Sequence, residues 1–155
     1  LSNRELLERT EKYRLHNGKS SNRHPTLLRA PDGAAMLEKK YKVDNSGIIE
    51  AVRYHTTGSA GMSLLAQIVY AADFLDPVRA FPKQEKAWSI MDEDFFAGLL
   101  YITRFSMKRV MRHWQFLHPG TLALYNEMLG RIHDKKREKK PLRGIDRAIT
   151  LEIKL

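Results

Sequence analysis

Cysteine is absent from all 155 residues, which excludes disulfide staples and thiolate metal centres. Any transition metal would have to be held by His, Asp or Glu. Also missing is any stretch near the roughly 20 uninterrupted apolar residues that a bilayer-crossing helix needs. The opening Leu1-Ser2-Asn3-Arg4-Glu5 has no apolar leader core. Together these absences predict a soluble, cytoplasmic protein that does not enter a membrane. An acidic balance is lacking too: 27 Lys and Arg face 18 Asp and Glu, for a formal charge of +9. That excess suits phosphate-bearing partners or an acidic protein surface.

What is present is enough apolar residue, 43% of the chain, for one compact domain with a core and too little length to expect two. We expect that domain over residues 1–133, followed by a basic linker and extended arm over 134–155. Leu1 is not an initiator methionine, and the chain is expected to be a segment of something longer. Ser2 and Glu5 have capping-box spacing for a helix from about Asn3 to Tyr13. The polar stretch from His16 to Pro25 should end it. A second helix is expected after Pro31-Asp32-Gly33, running toward Tyr41. A third, capped by Asp44 or Ser46, carries Ile48, Ile49 and Val52 and stops before His55. Ser63 should cap an apolar helix with Leu64, Leu65, Ile68, Val69 and Ala72, near whose end Asp73 stands. Pro77 and Pro82 bracket a loop around Arg79. Asp92 and the acids after it favour the start of a long helix through Phe95, Leu99, Thr103 and Trp114. His118-Pro119 opens a last one through Leu122, Met128 and Ile132. Trp88, Trp114 and the phenylalanines fall inside apolar helical patterns and are expected in the core. Beyond the basic run Lys135 to Lys140, the alternation of Ile149, Leu151, Ile153 and Leu155 predicts a short strand or arm. The fold class expected is all-α, with an extended basic tail.

The segment from Arg53 to Arg79 concentrates the chemistry. A histidine at a helix end precedes a Thr-Thr-Gly loop, then an Asp on the next apolar helix, then an Asp-Pro-Val-Arg turn. Imidazole and carboxylate are natural ligands of Fe, Mn or Zn. Arg79 suits a two-pronged grip on phosphate, and the loop's hydroxyls and N–H groups offer the same. A hydrogen-bonded core histidine and a capping aspartate would explain the spacing equally.

Arg53-Tyr54-His55-Thr56-Thr57-Gly58, then Met62-Ser63-Leu64-Leu65, then Ile68 through Arg79 resemble, in that order, the signature of the YqeK family. Leu27-Leu28 ahead of Ala30-Pro31-Asp32-Gly33-Ala34 resembles its Leu-Leu-His-Gly-Pro segment, and His118-Pro119-Gly120-Thr121 its last helix start. The resemblance spans about Leu1 to Leu129. It implies a helical HD-domain bundle that hydrolyses diadenosine tetraphosphate symmetrically to ADP, with a divalent pair (Fe, Mn or Co) in the site. By the same resemblance His55 and Asp73 are metal ligands, Asp73 is also catalytic, and Thr56, Thr57, Gly58 and Arg79 contact the nucleotide phosphates. The chain departs from the pattern where metal is held. The family's early His and its His-Asp pair precede the first residue. Arg29 stands where the family has the His of Leu-Leu-His-Gly, and Gln67 where it has a Lys. His133-Asp134 lies in the final charged helix, away from the other motifs, and reads as surface. An incomplete or impaired hydrolase is therefore expected. The alternative is a nonhydrolysing HD fold that holds a nucleotide, RNA or an acidic protein through its basic surface, including Lys108, Arg109, Arg112 and His113, and its tail.

Overall fold

The structure, a computed structural model, describes residues 2–13, 24–79 and 82–137. The expected arm from Ile149 to Leu155 lies outside the described residues, as does most of the His16 to Pro25 stretch. All regular structure among the described residues is helical, as expected. None of these helices is long and apolar enough to cross a membrane. The chain divides into two compact units, Leu1–Asp73 and Phe74–Leu155.

In the first unit, helix α1 (Asn3–Lys12) begins on the expected capping box. The Glu5 N–H donates to Ser2 Oγ at 3.2 Å and Glu5 Oε2 accepts from the Ser2 N–H at 2.6 Å, two orphan donors satisfied reciprocally. These hydrogen bonds hold the Glu5 carboxyl below the usual carboxylate range. A 3-10 turn, Pro25–Leu28, leads directly into α2 (Arg29–Lys39). The expectation that Pro31-Asp32-Gly33 would precede this helix is corrected, because the three residues lie within its first turns. A proline there gives up no bond, since the first four helical N–H groups have no intrahelical acceptor. Helix α3 (Ser46–Tyr54) is capped by Asn45, whose Oδ1 accepts from the Ile48 N–H at 3.1 Å, in place of the expected Asp44 or Ser46.

Helix α4 (Leu64–Leu75) starts where expected, with Ser63 Oγ accepting from the Ala66 N–H at 3.3 Å. Its buried face differs from the expected stripe. Leu64, Leu65 and Ile68 are exposed, and Ala66, Gln67, Tyr70 and Ala71 are buried. A helix that is apolar on most sides does not announce which side packs.

The second unit opens with the end of α4 and a 3-10 turn, Pro77–Arg79. An additional helix then follows, α5 (Gln84–Glu93). Gln84 Nε2 donates to the carbonyls of Phe74 at 2.8 Å and Asp76 at 2.9 Å, which supplies partners that a helix end lacks. Helix α6 (Phe95–Arg112) is capped by Asp94, whose Oδ1 accepts from the N–H groups of Phe96 and Ala97 at 2.9 and 3.0 Å. Asp92 and Glu93, expected to start this helix, instead finish α5. The two helices approach closely at Gly98, where a Cβ would come within 2.6 Å of Met91 Cβ.

Helix α7 (Pro119–Arg137) has Pro119 in its first turn and packs on α6. It buries Leu124, Met128 and Ile132 at four-residue spacing. His118 Nδ1 accepts from the Gly120 N–H at 3.0 Å. Burial lowers the His118 pKa, which keeps the ring in the neutral form that this acceptor role requires. The core assignment of the tryptophans is corrected: Trp88 is exposed, and Trp114 is 96% exposed. Phe105 packs edge-on against Phe74 with ring centroids 5.3 Å apart.

Candidate functional site

His55 closes α3 as its C-cap residue and is half-buried. Its Nδ1 lies 2.7 Å from the carbonyl oxygen of Val52. A carbonyl only accepts, so Nδ1 carries a proton and donates it to Val52 O. Metal-ligating histidines are commonly oriented this way by a second-nitrogen donor bond. Gly58 turns the chain at φ +65°, in the left-handed region that glycine enters without strain. Its N–H donates to Tyr54 O at 2.8 Å, so that group serves the turn. Thr57 is buried and Thr56 exposed on the same turn. The loop is tied back by Glu50, whose Oε2 accepts from the Ser63 N–H at 3.2 Å.

Asp73 occupies the last turn of α4 in the same unit and is half-buried. Arg79 belongs to the second unit and is exposed at the end of its 3-10 turn. That turn is fixed by the Arg79 N–H donating to Asp76 O and the Val78 N–H to Asp76 Oδ1, both at 3.0 Å. An open cleft of about 500 Å³ in the first unit is lined by Glu38, Ser46, Glu50, Arg53, Tyr54 and Ser63 among others. None of the sequence-predicted site residues lines it.

The donor set does not suit a metal pair. Among the described residues no three His, Asp or Glu side chains gather closely enough to hold a metal ion. Arg29, at the first position of α2, is exposed and permanently cationic. Gln67 is 4% exposed. Its Nε2 donates to Met62 O at 2.7 Å, while Oε1 is buried and accepts no hydrogen bond among the described residues.

One buried ion pair escaped the sequence reading. Asp32 is 1% exposed, and its Oδ2 lies 3.1 Å from a guanidinium nitrogen of Arg9. That nitrogen is buried and makes no hydrogen bond among the described residues, and the same holds for Asp32 Oδ1. The contact is thus coulombic, close but out of line for a hydrogen bond. An Asp between Pro and Gly carries the local signature of a turn, and nothing near it in sequence points to Arg9.

The helical architecture defines the class, an all-α domain of HD type. A crystal structure from Clostridium acetobutylicum, described as an HD superfamily hydrolase involved in NAD metabolism, matches 84% of this chain and 69% of its own, with a TM-score of 0.79 and 29% identity. The particular kinship is with symmetrical bis(5′-nucleosyl)-tetraphosphatases of the YqeK type, of which this chain is a homologue. It is 34% identical over 103 residues to the enzyme of that name from Bacillus subtilis and 33% identical to that from Halalkalibacterium halodurans. In each case the match covers 66% of this chain and 55% of the relative. The chain thus spans about half the length of the curated relatives it matches. No protein-family model matches it.

Proposed function

We propose that this chain carries the nucleotide-holding part of an HD-type hydrolase of dinucleoside tetraphosphates, and that these 155 residues do not complete the metal centre that release of ADP requires. The observation that carries the reading is the 103-residue kinship with enzymes named for that activity. Three features support it. The His55 ring is oriented by the contact of its Nδ1 with Val52 O, Asp73 stands one loop and one helix further on, and Arg79 ends a turn fixed by its own N–H bond to Asp76 O. In this reading the hydroxyls of Thr56 and Thr57 bind phosphate oxygens, His55 and Asp73 are the part of the metal set that remains, and Arg79 is assigned to phosphate by the family resemblance alone. Arg29 and Gln67 account for the loss, since neither side chain replaces an imidazole or an ammonium group.

Elemental analysis of the purified chain, together with ADP release from diadenosine tetraphosphate in the presence of Fe, Mn or Co, tests the metal half of the reading. The expected outcome is far less than one metal per chain and no release. Near-stoichiometric metal with ADP release that Asp73→Ala abolishes would show a complete enzyme and overturn it. Calorimetric titration with diadenosine tetraphosphate tests the other half. Arg79→Ala should weaken binding about tenfold, the worth of one charge-assisted hydrogen bond. Absence of any binding would overturn the nucleotide assignment.

A further inference from the structure

Helix α6 ends in a pair of bonds that define a Schellman motif. The Gln115 N–H donates to Val110 O at 3.0 Å and the Trp114 N–H to Met111 O at 3.1 Å. The residue between the helix and Gln115 must then take a left-handed backbone, a position that glycine usually fills. Here it is Trp114, at φ +53° and 96% exposed. A bulky side chain in that conformation is strained, and this one recovers almost nothing by burial. Strain without a structural return is a pointer to function.

The surroundings say which function. Lys108, Arg109, Arg112 and His113 are all exposed on the last turn and a half of the same helix. Beside them a cavity of about 210 Å³ is floored by the buried Phe74 ring packed edge-on against Phe105, with Ser106, Arg109 and Gln115 as polar lining. Aromatic surface supplies stacking to any base, and clustered cations follow a phosphate backbone, the combination by which single strands are held without sequence reading. A membrane surface would call for a broad apolar face alongside the bases, and here the exposed apolar groups of this helix end are Met111 and Trp114.

We propose that the C-terminal end of α6 is a binding site for single-stranded RNA, with one base stacked on the exposed Trp114, the neighbouring ribose at the polar rim of the cavity formed by Ser106 and Gln115, and the intervening phosphates on Arg109 and Arg112. The site stands independently of the hydrolase reading and requires no metal.

The test uses the full chain with Trp88→Phe, which leaves Trp114 as the one tryptophan. Titration with a short oligouridylate should quench its fluorescence. In a parallel anisotropy measurement with labelled oligouridylate, Trp114→Gly should weaken binding at least fivefold while raising the melting temperature, because glycine relieves the left-handed strain. Arg112→Gln should lower the salt dependence of binding. The opposite shifts of affinity and stability are what a merely structural tryptophan would not produce. Quenching absent, or affinity unchanged in Trp114→Gly, would overturn the proposal. So would binding to phosphatidylserine vesicles without binding to oligouridylate, which would assign the patch to an anionic membrane.

Discussion

Asp32 shows how much a single residue can carry. Its carboxylate is buried with one oxygen near Arg9 and the other without a hydrogen bond among the described residues, so its desolvation cost is offset chiefly by one guanidinium. Replacing Arg9 by Met should destabilise the fold by about 3–5 kcal/mol, the usual consequence of leaving a buried charge uncompensated. Replacing both residues, Arg9→Met with Asp32→Leu, should recover most of that loss or exceed it, since an apolar pair of similar volume pays no desolvation. Urea denaturation of the wild type, both single variants and the double variant gives the coupling directly, and a double variant no more stable than Arg9→Met would refute the account. The candidate site residues divide in the same way. His55, Thr56, Thr57 and Gly58 could be picked out as candidates because they are contiguous, and their roles are a proposal. The protonated nitrogen of His55 and the diversion of the Gly58 N–H to Tyr54 depend on how the turn closes, which no spacing reveals. Trp114 was placed in the core because its periodicity continues that of α6, yet the helix stops two residues earlier and the pattern outruns the backbone.

At the level of elements, three starts were readable, and the buried face of α4 was not. Ser2 with Glu5, Ser63, and Pro119 each act through hydrogen bonds or lost donors within one turn, so the sequence contains all the partners. Asn45 lies between the two residues expected to cap α3, an error of one position that backbone geometry alone decides. Helix α5 was missed because its apolar residues are crowded into Ala87 to Met91 and one of them, Trp88, is exposed, so its periodicity is faint. Its packing on α6 nevertheless sets a strict requirement at Gly98. Adding a methyl there would bring a carbon 2.6 Å from Met91 Cβ and 2.7 Å from Met91 Cα. The second of these is backbone, and it can yield only if the helices separate. Gly98→Ala should therefore destabilise the chain by about 1–3 kcal/mol, the range for overpacking, in spite of alanine's better helix propensity. Thermal melting followed by circular dichroism checks this, and a melting point at or above the wild-type value would mean that α5 and α6 part without cost.

Across the whole molecule the excess of positive charge can be divided between the described helices and the sequence that follows them. Residues 138–155 contain five bases and three acids, so a chain ending at Arg137 keeps +7 of the +9. If single-stranded RNA were attracted by the tail, removing those residues would abolish most of the binding, because each neutralised phosphate contributes through released counterions and the affinity falls steeply with salt. If binding centres on Trp114 and its flanking bases, most of the charge and all of the stacking survive the truncation. We expect the truncated chain to bind oligouridylate within about threefold of the full chain at moderate salt, with a log–log salt slope smaller by about 1–2, and to remain as sensitive to Trp114→Gly. Fluorescence anisotropy across a salt series on both chains measures affinity and slope together. A truncated chain that no longer binds would move the interaction to the tail, and Trp114 would then be left as a strained residue without a partner.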